Sequence, residues 1–485
     1  MVHLGPKAPQ RRKGSFTDVP AALMSELKEL ETQFTVSGET LRKIVDHFVT
    51  ELEKGLSKKG GNIPMIPGWV MEFPTGEETG DYIAIDLGGT NLRVVLVKLG
   101  GNRDFDTTQS KFPLPAHMRT ATSKELWDFI ADCLKKFYDE EYPEGVKEPL
   151  PLGFTFSYPA SQNCITQGIL QRWTKGWAIE GVEGQDVVPL LQEAIEKVQV
   201  PMKIVAVIND TTGTLVASRY CDPETKLGLI FGTGVNGAYY DVVQDIPKLE
   251  NKLEADISGD SLMAINCEYG SFDNEKLILP RNKYDVMIDE ESPRPGQQTF
   301  EKMNSGYYLG EILRLVLVDL AENKKVIFKD QDLTKLNQVY ILDTSFPARI
   351  EEDPFENLSD VHEIFQSVLG IQTTVPERKV IRRIAEMIGN RSARLSVCGI
   401  AAICKKRGYT TAHCAADGSV YSKYPDFKKR AAQSLRDIFE WPDDVKEDPI
   451  MIVDAEDGSG VGAAVIAALT EKRLKQGKSV GIKGT

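Results

Sequence analysis

The sequence has no long hydrophobic run and no excess of positive charge. Its 485 residues contain no apolar stretch of about eighteen residues, and the N-terminus shows no secretion signal. With 58 Lys and Arg against 71 Asp and Glu, the formal net charge is −13. Nucleic acids and anionic membranes are bound by clustered Lys and Arg, so this balance argues against both as partners. We expect a cytoplasmic protein.

Histidines and paired cysteines are also scarce. The five histidines lie outside every motif described below, which argues against a histidine base. Seven cysteines, an odd number without a C-x2-C pair, fit reduced thiols better than a disulfide framework. Cys398, Cys404, His413 and Cys414 raise a zinc site as an alternative. The first two lie in an apolar run, so buried thiols are the better account.

The chain is about three times a typical domain length, so we expect two large lobes behind an N-terminal tail. Residues 1–17 contain proline, glycine and basic residues without apolar periodicity, which predicts a flexible tail. Ser15 follows Arg12 and Lys13 at the spacing that basophilic protein kinases favour, and a phosphate there would reverse the local charge. The alternative is an ordinary serine in a mobile segment.

Two glycine-rich turns join strand-like runs. LIFGTGVNGAYYDVV at 229–243 contains the G-x-G-x-x-G spacing of a dinucleotide site. Aromatic and β-branched residues follow it, so we expect a second strand where that site requires a helix. DLGGTN at 86–91 also lies between strand-like runs. Because glycines let backbone N–H groups approach an anion closely, we predict that the two turns bind the two ends of a polyphosphate.

A third glycine-rich run lies near the C-terminus. Gly458, Gly460 and Ala463 also mimic a dinucleotide fingerprint, and a helix-like run follows them. A chain with one dinucleotide-binding unit at its N-terminus would not carry the glycine motif of that unit near residue 460. The run instead predicts a loop and a helix start that close on part of a nucleotide.

Asp210 ends the apolar run IVAVIND. A carboxylate has no role in a strand core, whereas the carboxyl ends of strands are where open α/β sheets bind ligands. In phosphoryl transfer one carboxylate accepts the proton of the attacking hydroxyl, and other groups position the reactants and neutralise charge. We therefore predict that Asp210 is the general base. The alternative is that Asp210 is the N-cap of a helix over TTGTLVASRY.

Five motifs together resemble the eukaryotic hexokinase family. They are DLGGTNLR at 86–93, LGFTFSYPA at 152–160, WTKGW at 173–177, NDTTGTL at 209–215 and GTGVNGAY at 232–239. INCEYGSFD, FEKMNSGYYLGE, AADGSVY and VDAEDGSGVGAA extend the resemblance from residue 18 to the C-terminal helix, and the length fits the single-unit fungal type. The resemblance implies an ATP-dependent kinase that phosphorylates the 6-hydroxyl of glucose, fructose or mannose in the first step of glycolysis.

The implied fold is the two-lobed α/β fold of actin-like (ribonuclease H-like) ATPases, with duplicated topology and a central cleft. The large lobe would contain residues 18–76 and 212–457, and the small lobe residues 77–211 and 458–485. Because the sugar residues come from both lobes, we expect hexose binding to draw the lobes together. Closure would keep water, a smaller nucleophile, from hydrolysing ATP.

The resemblance also implies the site residues. Those for the sugar are Ser157, Thr174, Lys175, Asn209, Asp210, Asn236, Glu268 and Glu301, with Lys175 and Asp210 catalytic. Those for the ATP phosphates are Asp86, Leu87, Gly88, Gly89, Thr90, Asn91, Gly232, Thr233 and Gly234, with Arg93 and Lys111 as candidate cations. Adenosine would contact Gly418, Ser419, Gly458 and Gly460. Magnesium would bridge the phosphates, and Asp86 would reach it through water.

Two other classes remain open. An actin-like or chaperone-like ATPase would use the same nucleotide cleft, but it needs neither TFSYPA nor WTKGW. A catalytically retired hexose sensor could use the basic tail as an import signal for a minor nuclear pool, although intact Asp210 and Lys175 speak against lost catalysis. A monomer–homodimer equilibrium modulated by the tail is a hypothesis prompted by Ser15.

Overall fold

The computed structural model describes residues 16–88, 91–173, 177–442 and 444–485. The helices are α1 Ala21–Phe34, α2 Gly38–Ser57, α3 Ser123–Glu141, α4 Val187–Lys197, α5 Asp210–Cys221, α6 Lys283–Glu291, α7 Thr299–Asn304, α8 Gly306–Val318, α9 Ser345–Glu352, α10 Ser359–Ile364, α11 Val375–Arg407, α12 Ser419–Lys423, α13 Phe427–Phe439 and α14 Ala463–Lys475. A π-helical turn at Gly458–Gly462 precedes α14.

The strands form two larger sheets and one small ribbon. They are β1 Ile66–Pro67, β2 Thr79–Leu87, β3 Asn91–Gly101, β4 Asp104–Pro113, β5 Leu150–Thr155, β6 Ala160–Ser161, β7 Ile169–Leu170, β8 Met202–Ile208, β9 Thr225–Phe231, β10 Val235–Val242, β11 Leu262–Asn266, β12 Ala412–Asp417 and β13 Ile450–Asp454. The five-stranded sheet has the order β4-β3-β2-β5-β8, and the six-stranded sheet has the order β1-β11-β10-β9-β12-β13.

The two sheets repeat one topology. In each, three consecutive strands pair antiparallel, and two later strands add in parallel beside the first of the three. The six-stranded sheet differs by the short edge strand β1. The predicted α/β class and the duplicated topology are confirmed. The exact division into lobes stays a prediction, although every strand of the five-stranded sheet lies within 77–211.

The central strand β2 shows why the sheet is covered on both faces. Ile83, Ala84 and Ile85 are all fully buried, as expected for strands sandwiched between helices. Successive side chains point to opposite faces. Ile83 and Ile85 therefore belong to one cluster, with Leu126 of α3. Ala84 belongs to the other, with Val465 of α14.

The two sheets are joined where α5 crosses the π-helical turn before α14. A Cβ on Gly213 would lie 2.3 Å from the carbonyl oxygen of Gly458, and one on Gly462 would lie 2.2 Å from that of Gly213. Only glycine allows the two backbones to come this close. Because α5 runs directly from β8 into β9, this crossing fixes where the two lobes meet.

The cysteines are free thiols; Cys398 and Cys404 lie on α11, and Cys414 on β12. His413 hydrogen-bonds Asp222. Within the described ranges, no cluster of three or more His, Cys, Asp or Glu could hold a metal ion. No helix in that part of the chain is long and apolar enough to cross a membrane.

Candidate active site

Three neighbouring strands of the five-stranded sheet carry predicted site residues to one edge. Asp86 on β2 pairs with Thr155 on β5, and Thr155 pairs with Ile208 on β8, all in parallel register. Ser157 follows β5, and Asp210 follows β8. The carboxyl ends of parallel strands meet at one edge, where α/β sheets place their ligand sites. The structure therefore brings Asp86, Ser157 and Asp210 to the same edge.

Asn209, and not Asp210, is the N-cap of α5. The Oδ1 atom of Asn209 accepts a hydrogen bond from the Thr211 N–H at 2.8 Å. The interpretation of Asp210 as the cap is therefore wrong. Asp210 is the first residue of the helix, and its Oδ1 accepts from the Thr211 N–H at 2.7 Å and the Thr211 hydroxyl at 3.1 Å. A helix N-terminus favours a negative charge at this position.

On the large lobe, three polar side chains form a cluster at the start of β10 and the end of β11. The Glu268 Oε1 atom accepts from Asn236 Nδ2 at 3.0 Å and from Asn266 Nδ2 at 2.9 Å. The Oδ1 atom of Asn236 accepts from the Glu268 N–H at 2.9 Å. Sequence reasoning found Asn236 and Glu268 but missed Asn266. The signal available was its position at the end of a strand, two residues before Glu268.

Glu301 links this region to the glycine turn between β9 and β10. Its Oε2 atom accepts from the Val235 N–H at 3.1 Å. A Cβ on Gly234 would lie only 2.6 Å from the same oxygen. The predicted sugar carboxylate and the predicted phosphate turn are therefore in direct contact.

The turn over Gly232, Thr233 and Gly234 joins two antiparallel strands, as predicted. Its carbonyl oxygens accept from the start of α8: Gly306 N–H binds Gly232 at 2.8 Å, and Tyr307 N–H binds Thr233 at 3.2 Å. Gly418 lies beside it with φ +113, and a Cβ there would be 2.4 Å from the carbonyl oxygen of Phe231. Gly418 and the neighbouring Ser419 therefore adjoin the turn. Their contact with adenosine stays a prediction.

The corresponding small-lobe turn lies between Leu87 and Asn91. The Gly88 N–H donates to the carbonyl oxygen of Asn91 at 3.1 Å. Gly89 and Thr90 lie outside the described residues, as do Thr174, Lys175 and Ser15. Their predicted roles stay predictions.

Arg93 forms an ion pair that the sequence did not suggest. Both terminal nitrogens of its guanidinium donate to the carboxylate of Asp457, one of them at 2.8 Å, and Nε donates to Gln109 at 2.7 Å. Burial opposes its charge, but Asp457, with Asp86 nearby, raises the pKa of Arg93. Lys111 lies exposed on β4, opposite Arg93. Whether either cation contacts phosphate stays a prediction.

Gly458 and Gly460 have packing roles in the structure. A Cβ on Gly458 would lie 2.4 Å from the Thr214 nitrogen, and one on Gly460 would lie 2.5 Å from Asp457 Oδ2. Both glycines are buried. Their predicted contact with adenosine stays a prediction.

Arg172, the residue before WTKGW, lies near charges from two other segments. Burial and the nearby Arg294 lower the pKa of Arg172, and Glu268 partly opposes this effect. Arg172 follows β7, whereas Glu268 follows β11 and Arg294 lies between α6 and α7. The segment that leads to WTKGW is therefore close to the Glu268 region.

A separate cavity of about 340 Å³ lies between α13 and β13. Its lining includes His413, Lys428 and Asp448, and none of the predicted site residues contributes to it. It is therefore distinct from the site at the strand edges.

Two sheets of one topology, each with a glycine turn between antiparallel strands, and predicted site residues at the carboxyl ends of strands in one of them fit the class of actin-like ATPases. Comparison with known proteins specifies the class further. Family models described as Hexokinase match residues 26–220 and 226–469. The chain therefore belongs to the hexokinase family. It is a single-unit enzyme of the fungal type that phosphorylates a hexose in glycolysis, with ATP as the donor.

Relatives match along the whole chain. Hexokinase-2 of Candida albicans is 75% identical and Hexokinase-1 of Saccharomyces cerevisiae is 70% identical, each with 100% of both chains covered. The solved hexokinase from Schistosoma mansoni complexed with glucose is 33% identical, with a TM-score of 0.81, covering 92% of this chain and 98% of that one. The predicted two-lobed actin-like fold and the resemblance to hexokinases are confirmed.

Proposed function

We propose that the enzyme transfers the γ-phosphoryl group of ATP to the 6-hydroxyl of glucose, with Asp210 as general base. The observation that carries this proposal is the position of Asp210 just after the carboxyl end of β8, where Asn209 provides the N-cap of α5. Asp210 is thus not required to cap α5. As the hydroxyl attacks, its proton passes to the Asp210 carboxylate, the role one carboxylate has in phosphoryl transfer.

The sugar would be bound from both lobes. Ser157 and Asn209 lie on the small-lobe edge, and Asn236, Glu268 and Glu301 surround the start of β10. Such amides, hydroxyls and carboxylates match the donors and acceptors that a hexose presents. Thr174 and Lys175 would complete the small-lobe side, with Lys175 near the transferred group. We propose that sugar binding closes the lobes and assembles the site only when the correct nucleophile is present.

ATP would lie between the two glycine turns, with adenosine toward Gly418 and Ser419. The residues present fit a magnesium ion, because Asp86 supplies a carboxylate at the same edge as Asp210. Mg²⁺ is usually held by one or two carboxylates, substrate phosphates and several waters, so Asp86 would act through water. When bound, the ion would neutralise charge on the transferred phosphoryl group.

We further propose fructose and mannose as alternative substrates, because each offers the same primary hydroxyl. We also propose cytoplasmic location with a minor nuclear pool, an added sugar-sensing role, and a monomer–homodimer equilibrium controlled by phosphorylation of Ser15. The Ser15→Glu variant should shift that equilibrium in sedimentation velocity experiments. Unchanged association would contradict control of the equilibrium by the N-terminal tail.

The role of Asp210 can be tested with the Asp210→Ala variant. We expect kcat to fall by at least about 100-fold, because a positioned base is lost, while glucose binding measured by calorimetry largely survives. Asp186→Ala is the matched control. Asp186 is the N-cap of α4 and accepts from the Val188 N–H at 3.1 Å. Its loss should lower the Tm but leave kcat unchanged.

A kcat within a few-fold of wild type in Asp210→Ala would contradict the proposed base.

A further inference from the structure

A buried ammonium group lies next to Glu301 in the sequence. The Lys302 side chain on α7 is only 5% exposed. Its Nζ atom donates to Asp289 Oδ1 at 2.8 Å, Ser292 Oγ at 2.9 Å and the Arg294 carbonyl oxygen at 2.8 Å. An ammonium group has three donors, so these partners use all of them.

Asp289 holds the same segment from the other side. We call residues 292–298, between α6 and α7, the rim loop. The Oδ1 atom of Asp289 also accepts from the Gly296 N–H of this loop at 2.9 Å, and Lys276 lies 3.1 Å from Oδ2. Burial would raise the pKa of Asp289, but Lys302, the Gly296 N–H and Lys276 lower it to about 2. The carboxylate therefore stays ionised and binds the loop at neutral pH.

The rim loop leads directly to residues assigned to the sugar. Its last residue, Gln298, has φ 55 and precedes α7, which carries Glu301. Gln298 and Glu301 both border Gly270, where a Cβ would lie 3.5 Å from Gln298 Oε1 and 3.2 Å from Glu301 Cβ. Arg294 lies close enough to Arg172, which follows β7, for its charge to lower the pKa of Arg172. In the proposed sugar site, the rim loop and α7 would form the wall beside Glu268.

Stability alone is a weak explanation for a buried ion pair. Removing two charges from water costs free energy, and apolar replacements are often equally stable or more stable. What such a pair can provide here is a fixed geometry, because Lys302 and Asp289 together bind the loop at Ser292, Arg294 and Gly296.

We propose that Lys302 and Asp289 position the rim loop and Glu301 for hexose binding. This inference rests on the proposed assignment of Glu301 to the sugar site. Lys302 acts as a positioning residue, since its ammonium is fully used within the large lobe. A misplaced wall should weaken sugar binding much more than it slows phosphoryl transfer at saturating sugar.

The test is Lys302→Met, which retains most of the apolar stem. We expect the KM and calorimetric Kd for glucose to rise at least about tenfold, with KM for ATP and saturated kcat within about threefold of wild type. Lys406→Met is the matched control. The Lys406 side chain is 7% exposed and donates at 2.7 Å to the buried Asp241, which Arg407 also binds, at the far end of β10 from Asn236. It should lower the Tm without changing glucose affinity.

Equal shifts in glucose affinity in both variants, or none in Lys302→Met, would overturn the proposal. If Lys302→Met does not fold, Ser292→Ala decides, because it removes one partner of the ammonium at a partly exposed position. We expect its glucose Kd to rise at least about threefold, and no change would overturn the proposal.

Glu301→Gln, measured in parallel, separates this inference from the proposed function on which it rests. Weakened glucose binding in Glu301→Gln without an effect in Lys302→Met overturns only the positioning role. Unchanged binding in Glu301→Gln removes Glu301 from the sugar site and overturns both. Weakened binding in Glu301→Gln and Lys302→Met, but not in Lys406→Met, supports both.

Discussion

The glycine turns of the two lobes have the same place in the fold, but they contact different structures. In the large lobe, the carbonyl oxygens of Gly232 and Thr233 bind the first turn of α8, and Gly234 lies against Glu301. In the small lobe, Gly88 bonds to Asn91 within the turn itself, and Arg93 on the following strand pairs with Asp457. One turn is thus attached to α8 and Glu301, whereas the strand that follows the other turn is attached to the loop before α14.

This difference suggests that the turns have separate tasks. In the proposed site, a displacement of the large-lobe turn would also move Glu301, because the Val235 N–H binds its carboxylate, so the phosphate and sugar positions would be linked in that lobe. A displacement of the small-lobe turn would change phosphate contacts without changing the proposed sugar cluster at Glu268. The two turns have equivalent places in the repeated topology but different neighbours.

The largest expected difference between the two turns is in the KM for glucose when a methyl group is added to each turn. Gly234→Ala places Cβ 2.6 Å from the end of a flexible side chain, so Glu301 should move at little cost in stability. We expect the KM for glucose to rise at least about tenfold with a nearly unchanged Tm. Among the described residues, a Cβ on Gly88 meets only the Asn91 carbonyl oxygen, at 3.2 Å, so Gly88→Ala should leave the KM for glucose within about twofold.

Steady-state kinetics in both substrates and thermal unfolding distinguish the two variants. If Gly88→Ala raised the KM for glucose as much as Gly234→Ala did, the turns would not have separate tasks.

A smaller effect is expected on the pH dependence of the free energy of unfolding, through Asp289, which holds the rim loop. The pKa of Asp289 is lowered from 3.8 to about 2 in the folded protein. A depressed carboxylate stabilises the folded state above its unfolded pKa, and this stabilisation is lost as the pH falls toward the folded pKa. Asp289→Asn should therefore reduce the free energy of unfolding most at neutral pH, and the deficit should shrink by roughly half at pH 3.

Urea unfolding of wild type and Asp289→Asn at several pH values measures this deficit. A deficit that grows as the pH falls would contradict the sign of the pKa shift and weaken the proposed loop anchor.

Much of the fold followed from local pattern. Short apolar runs lead into the glycine-containing motifs DLGGTN, NDTTG and GTGVNG, so the strand–turn–strand units at 86–91 and 229–243 could be predicted from local pattern. Asp210 could be placed at a strand end for the same reason. Its role as N-cap could not be excluded from sequence, because Asn209 and Asp210 are equally good caps. Only the observed start of the helix separates them: Asn209 has extended backbone, and Asp210 is the first helical residue. The duplicated topology of the whole fold was implied only by the resemblance to hexokinases.

The parts of the site that could not be predicted from the sequence depend on contacts between residues far apart in the chain. Arg93 and Asp457 are 364 positions apart, and residue type alone does not tell which carboxylate an arginine will meet. Asn266 resembles any strand-end amide until Asn236 and Glu268 are placed beside it. Lys302 looks like a surface lysine in FEKMNSGYY, because its burial is set by the rim loop that folds over it.

The most direct test of the account measures ATP consumption by purified protein with magnesium, with and without glucose, while glucose 6-phosphate is assayed. We predict negligible consumption until glucose is added, followed by one product molecule for each ATP consumed, because in the proposed mechanism lobe closure on the sugar assembles the site. Equal ATP turnover without sugar would contradict sugar-driven closure. ATP turnover in the presence of glucose without glucose 6-phosphate would contradict the proposed transfer to the 6-hydroxyl.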